Sequence, residues 1–327
     1  MDSEQYPSRM FLRFADTFTP QNRPELTLMS GGEVMLRPRL VRGIAKRARA
    51  VGSRSYALSG LFFARKPRIP GPIREAVDAL DHFSVSTDRF HEEEVDRAAV
   101  FRVLHELLDD GKDVSVQITG EGPDDPYLAD VTAAVRREFG DRVPMLVVPL
   151  VPMGRAREWM ERRPLVAYPP TAAPCSLACW PVIGFNGQVI ACGNQDVMDG
   201  TVPMPPHLFL GHIARDDWET VRQRVTGSPI LQAIRTYGPE YLMERFAGER
   251  TCEGYCASCW KAAKAPGLRE SVKELVLLPS AVAMREAVEQ MAADAGPVGF
   301  ARRWGIGRYA DLVTLGAPRE RDLACTG

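Results

Sequence analysis

At 327 residues the chain is long enough for one large domain plus a smaller one. Hydrophobic residues at 45% and charged residues at 25% exclude a disordered or fibrous chain, and a formal net charge of −1 gives no electrostatic ground for a nucleic-acid or anionic-membrane partner. The opening MDSEQYPSRM is too polar for a secretory signal, and no apolar run approaches the roughly 18–20 residues that span a bilayer. The expectation is a cytoplasmic protein.

SRMFLRFADTF reads as a first helix, and ELTLMSGG as a strand ending in a glycine turn. Arg39 to Val51 follows as a basic amphipathic helix closed by Gly52. SYALSGLFF is the next strand, and the Pro- and Gly-rich KPRIPGP leads to a short helix over Ile73 to Leu80. HFSVSTD is the third strand. Val95, Ala99, Val103, Leu107 and Leu108 give Glu92 to Asp110 a helical period, stopped by Gly111. DVSVQITG, a helix over Pro126 to Phe139 and the strand PMLVVPLVPM complete the series. Five strands separated by helices, with runs too apolar for half-exposure, predict an α/β fold with a parallel sheet covered by helices. An open doubly wound sheet and a barrel fit this periodicity equally.

Residues 1–152 thus form the α/β domain, and the basic, Pro-rich 153–174 reads as a linker. Residues 175–268 are cysteine-rich, with an Asn186–Gly187 hairpin turn and a helical stretch over Asp216 to Phe246. The tail, 269–327, carries a helix opened by Pro279–Ser280 and running to about Ala293. The seven cysteines are Cys175, Cys179, Cys192, Cys252, Cys256, Cys259 and Cys325. Clustered thiols in a large intracellular chain point to metal ligation and away from a disulfide scaffold. Ser30-Gly31-Gly32-Glu33 lets backbone approach a ligand, with a carboxylate that can accept from an ammonium group. Taken alone, it reads equally as a tight turn.

LTLMSGGEVMLRPRLVRGIAKRARAVG resembles the Gly-Gly-Glu segment of radical S-adenosylmethionine enzymes, HFSVSTDRFHEEEV resembles their fourth strand, and VPLVPMGRA the end of their sixth. The resemblance implies a partial (β/α)6 barrel lacking its first strand, followed by a small α+β cysteine-rich domain. It assigns Gly31, Gly32 and Glu33 to the amino group of S-adenosyl-L-methionine. Ser84, Ser86 and Asp88 go to the cofactor's ribose and carboxylate. His91 and the run Glu92 to Glu94 read instead as a helix N-terminus, and His82 and His105 as structural.

Cys179 and Cys192 flank the hairpin, with Gly187 five positions before Cys192, and TCEGYCASCW follows a helical insert. This resembles the C-x(9–15)-G-x4-C opening and closing thiolates of the SPASM and twitch domains, which implies an auxiliary 4Fe-4S cluster. The expected ligands are Cys179 and Cys192 with two of Cys252, Cys256 and Cys259, and Cys175 as the weaker candidate. Structural zinc is the alternative. Cys325 reads as a surface thiol, and Trp180 and Trp260 as shielding.

The family's catalytic C-x3-C-x2-C loop precedes the Gly-Gly-Glu strand, yet no cysteine occurs in the thirty residues before Gly31. Cleavage of the cofactor is therefore not expected from the chain as written. Either the true start lies upstream or the chain is a cluster-free relative. The implied activity is hydrogen abstraction from a peptide or small-molecule substrate, with a flavodoxin or ferredoxin as electron donor. The alternative is a binding module carrying one iron–sulfur or zinc site.

Overall fold

The computed structural model describes residues 6–151, 160, 174–249 and 255–317. The chain divides into two compact units: Arg23–Leu165 with Ala295–Gly327, and Met1–Asn22 with Val166–Asp294. In chain order, α1 (Ser8–Ala15) precedes β1 (Leu26–Met29), α2 (Pro38–Ala50), β2 (Arg54–Ser59), α3 (Gly71–Ala79) and β3 (His82–Thr87). Then come α4 (Arg89–Glu94), α5 (Arg97–Asp109), β4 (Asp113–Gly120), α6 (Pro126–Phe139) and β5 (Met145–Pro149).

β1 to β5 form one parallel sheet in sequential order, a curled half-barrel. A doubly wound sheet would reverse its strand order at a switch point, and this one does not. The sheet has five strands, not six. Its register pairs Met29 with Ala57, Ser59 with Val85 and Thr87 with Ile118, so the strand ends lie side by side.

Strand alternation sorts the side chains. Phe83, Val85, Val116, Ile118, Met145 and Val147 are buried on one face. They share a core with Val41 and Ala45 of α2, Val103 and Leu107 of α5, and Leu128 and Val131 of α6. Each large side chain so buried contributes about 1.5–3 kcal/mol. The other face carries Leu28, Tyr56, His82, Ser86, Gln117 and Thr119, all at least partly accessible. That face is mixed: polar on β3 and β4, with Leu28, Leu58 and Leu146 on the other strands.

Two long helical stretches in the sequence are broken. Val95 is extended at φ −133° between α4 and α5, and the Asp96 side chain caps α5 by accepting from Ala99 N–H at 2.8 Å. The stretch from Asp216 divides into helices Trp218–Gly227, Pro229–Tyr237 and Pro239–Ala247. Pro229 and Pro239 each open a helix, a position where the missing N–H costs nothing.

The cysteine-bearing unit is built on an antiparallel sheet of β6 (Val182–Ile183), β7 (Gln188–Ile190) and β8 (Phe209–His212). Gly187 turns the hairpin at φ +88°, and a Cβ there would lie 2.8 Å from Met10 Cε. α1 packs in this unit: Thr17 Oγ1 accepts from Trp218 N–H at 2.9 Å, and Phe18 meets the Trp218 ring edge-on. No helix among the described residues is long and apolar enough to cross a membrane.

The poorly patterned tail has a defined role. Ile306 N–H donates to the outward carbonyl of Val147 on β5 at 2.9 Å, and a Cβ on Gly305 would stand 2.5 Å from the same oxygen. The contact covers a sheet edge that would otherwise be open to pairing. Gly305→Ala should cost about 1–3 kcal/mol of stability in urea unfolding, because neither backbone can give way freely. An unchanged midpoint would show that the segment is not seated on β5.

Candidate functional site

Two sets of residues carry chemistry, one in each unit. In the half-barrel they gather where β1, β2 and β3 end. Gly31 and Gly32 adopt φ +94° and +52°, in the left-handed region, and nothing lies within 4 Å of where a Cβ would stand on either. Backbone is thus presented to open space. Glu33 follows and turns inward. Its Oε1 accepts from Met35 N–H and Ser59 Oγ, both at 2.8 Å, and its Oε2 accepts from Gly60 N–H at 2.9 Å. Three donors leave spare acceptor capacity on the carboxylate.

The backbone beside Glu33 is strained. Leu61, fully buried, holds φ +58°, a conformation that costs a non-glycine residue about 1–2 kcal/mol. Ser59 Oγ steadies it by accepting from Leu61 N–H at 3.1 Å. A Cβ on Gly60 would meet the His91 ring at 3.1 Å and Glu33 Oε2 at 3.5 Å, so these two groups converge over that glycine. His91 Nδ1 in turn pairs with Asp88 Oδ2 at 2.7 Å, while Asp88 Oδ1 caps α4 by accepting from Phe90 and His91 N–H. Burial pushes the Asp88 carboxyl up, but the His91 ring and the capping N–H groups outweigh it and hold it below the ordinary range.

Of the remaining strand residues, Ser84 is fully buried. Its Oγ accepts from Ser115 Oγ at 2.9 Å and faces the Ser115 carbonyl at 3.3 Å. Ser115 also bonds His82 Nε2 at 2.7 Å, and the His82 ring stacks on Tyr56 at 5.0 Å. Burial raises the Tyr56 hydroxyl pKa and lowers that of the His82 ring. Ser86 stands on the same face, partly accessible. His105 bonds Glu138 at 2.8 Å on the helical surface. Glu92 is gripped by Arg97 through two bonds of 2.8 and 2.9 Å and by Tyr127.

The second set is the thiols. Cys175 is anchored where its N–H donates to the Ile234 carbonyl at 3.0 Å, Cys192 follows β7, and Cys256 and Cys259 lie one turn apart on the helix Tyr255–Ala262. Burial, with Cys256 and Cys175 adding to it, lifts the Cys192 thiol to about 11. Burial also lifts Cys259 well above its usual value, with Cys192, Cys175 and Cys256 all adding to the effect. These four thiols therefore sense one another's charge. Asn194 works the other way, its backbone N–H favouring the Cys192 thiolate and its side chain the Cys256 thiolate.

Cys179 stands apart from that group. Its Sγ donates to the Ser176 carbonyl at 2.9 Å, and its charged neighbours are Arg235 and Glu289. Cys252 and Cys325 lie outside the described residues. The spacing already favoured Cys175. Eleven residues separate it from Gly187, inside the x(9–15) range, whereas only seven separate Cys179. Among the described residues, no three His, Cys, Asp or Glu side chains stand close enough to hold one metal ion.

His207 completes this site and had no signal in the sequence. It is buried at 6% exposure, its Nε2 lies 3.2 Å from Cys259 Sγ, and its Nδ1 has no partner. Burial, then the charge of Arg269, pushes its ring down to about 4.

No protein-family model matches this sequence, and no curated protein matches it.

Because folding lowers the Asp88 pKa, its stabilising contribution is complete above the ordinary carboxylate range and fades as pH falls through it. Asp88→Asn keeps a capping oxygen but loses the charge facing His91. Its deficit in urea-unfolding stability should be largest near neutrality and shrink toward about pH 3. A deficit that stays constant over that interval would remove the charge from the account.

Proposed function

We propose that the chain is a radical S-adenosylmethionine enzyme that carries an auxiliary 4Fe-4S cluster. The reading rests on the spacing of the cysteines in sequence, supported by the charge that Cys192 and Cys259 each feel from other thiols. Four thiols are the ligand number a cubane takes. Cys192, Cys175 and Cys256 oppose the ionisation of Cys259, so a bound cationic centre would reverse a standing penalty.

S-adenosyl-L-methionine, when bound to a catalytic cluster, supplies a 5′-deoxyadenosyl radical for hydrogen abstraction. Gly31 and Gly32 fit the approach of such a ligand, and Glu33 keeps acceptor capacity for its ammonium group. Ser86 on the accessible face fits its polar end. Ser84 does not fit, being buried against Ser115, while Asp88, like Glu33, already accepts three bonds, to α4 and the His91 ring. A peptide or small molecule would be the substrate, and a flavodoxin or ferredoxin the electron donor. The catalytic cluster's own cysteines are not among the thirty residues before Gly31. The commitment of Ser84 and Asp88 to internal bonds favours a second reading, a binding module that keeps the fold and one iron–sulfur or zinc site.

Protein purified without oxygen should be brown and hold about four irons and four acid-labile sulfides per chain. Serine at 175, 192, 256 or 259 should abolish that content, whereas Cys179→Ser should retain it. Colourless protein containing only zinc would contradict the iron–sulfur assignment. Formation of 5′-deoxyadenosine under reducing conditions separates the enzyme from the binding module, and the chain as given should form none.

A further inference from the structure

A cavity of about 220 Å³ opens in the cysteine-bearing unit beside the thiols, with His207 in its wall. That is smaller than the roughly 300 Å³ at which drug-sized ligand sites begin. Its charged lining is cationic throughout. Arg269 and Lys273 stand one turn apart on the helix Leu268–Leu277, and neither has a carboxylate partner among the described residues. Arg224 is the third cation, held in place by the Leu210 carbonyl at 2.6 Å and by Asp216 at 3.1 Å. No acidic side chain among the described residues lines the space.

Two further features point the same way. The helix Pro229–Tyr237 begins at the cavity, with Ser228, Pro229 and Ile230 in the wall, so the positive end of its dipole faces the opening. The His207 ring is more than nine-tenths buried and leaves Nδ1 unpaired, although buried polar atoms nearly always have a partner. Phe209, Leu210 and Ile230 supply apolar wall between the cations.

We propose that this cavity binds a small organic anion, a carboxylate or phosphate monoester on a short apolar stem, with His207 between it and Cys259. Arg269 and Lys273 supply the charge, Arg224 and the helix start orient the anionic head, and the apolar wall takes the stem. The site stands on its own residues whatever the thiols hold, and iron analysis reports on the thiols separately.

The test uses the full chain, titrated calorimetrically with phenyl phosphate, benzoate and inorganic phosphate. Phenyl phosphate or benzoate should saturate in the millimolar range or tighter, and inorganic phosphate should bind more weakly. The Arg269→Ala/Lys273→Ala double variant changes two exposed side chains, and circular dichroism verifies its fold. It should weaken binding by roughly tenfold or more, while Arg269→Lys/Lys273→Arg restores most of it. In histidine-¹⁵N-labelled protein, the ring signals assigned to His207 through His207→Gln should move on saturation. No saturable binding of either organic anion, binding untouched by the double alanine variant, or stationary His207 signals would overturn the proposal. Inorganic phosphate binding as tightly as phenyl phosphate would overturn the apolar-stem assignment.

Discussion

In the cysteine-bearing unit the thiols sit in partly desolvated surroundings that make them harder to ionise. Cys192 and Cys259 show it most strongly, each lifted by burial and then by its thiol neighbours. The groups come from the approach to the hairpin, its exit and a helix some sixty residues on, so the chain gathers them at an entropic cost. Hydrophobic packing gives no reason to collect sulfur in this way. A bound cluster would, by turning mutual opposition into shared ligation.

The half-barrel obeys a different constraint. Parallel strands in sequential order bring their C-terminal ends together, and backbone that would be costly elsewhere collects there: two glycines at positive φ and a buried Leu61 in the left-handed region. Strain of this kind persists where surrounding contacts over-determine it, and it clusters at functional sites. Here Glu33 and Ser59 do the holding, with three donors on one carboxylate. The same bonds that preserve the geometry also use up part of the side chains a ligand would want.

Most of the half-barrel could be read from residues 23–149, because each strand was bounded by glycine, proline or a capping aspartate. The break at Val95 was missed in a helix read straight from Glu92 to Asp110, although Asp96, a capping residue three positions before Ala99, marks it. α1 was read from SRMFLRFADTF, but its place in the cysteine-bearing unit was not: Thr17 bonds Trp218 two hundred residues away, and nothing local announces that contact. The thiol group was half legible. Cysteine spacing identified the region, and a stricter count to Gly187 would have favoured Cys175 over Cys179. His207 and the Asp88–His91 pair escaped for opposite reasons. His207 acts 52 residues from Cys259, at a distance no local pattern spans. Asp88 and His91 are so close in sequence that they pass for ordinary helix capping, and only the fold sets Gly60 and Glu33 beneath them.

We propose one iron–sulfur centre held by Cys175, Cys192, Cys256 and Cys259. Crystals grown without oxygen and measured on both sides of the iron absorption edge address it directly. The account predicts one compact anomalous peak bonded to those four sulfurs and to no other side chain. A peak seen only at the zinc edge, iron bound at Cys179 in place of Cys175, or the four thiols paired as disulfides would contradict it.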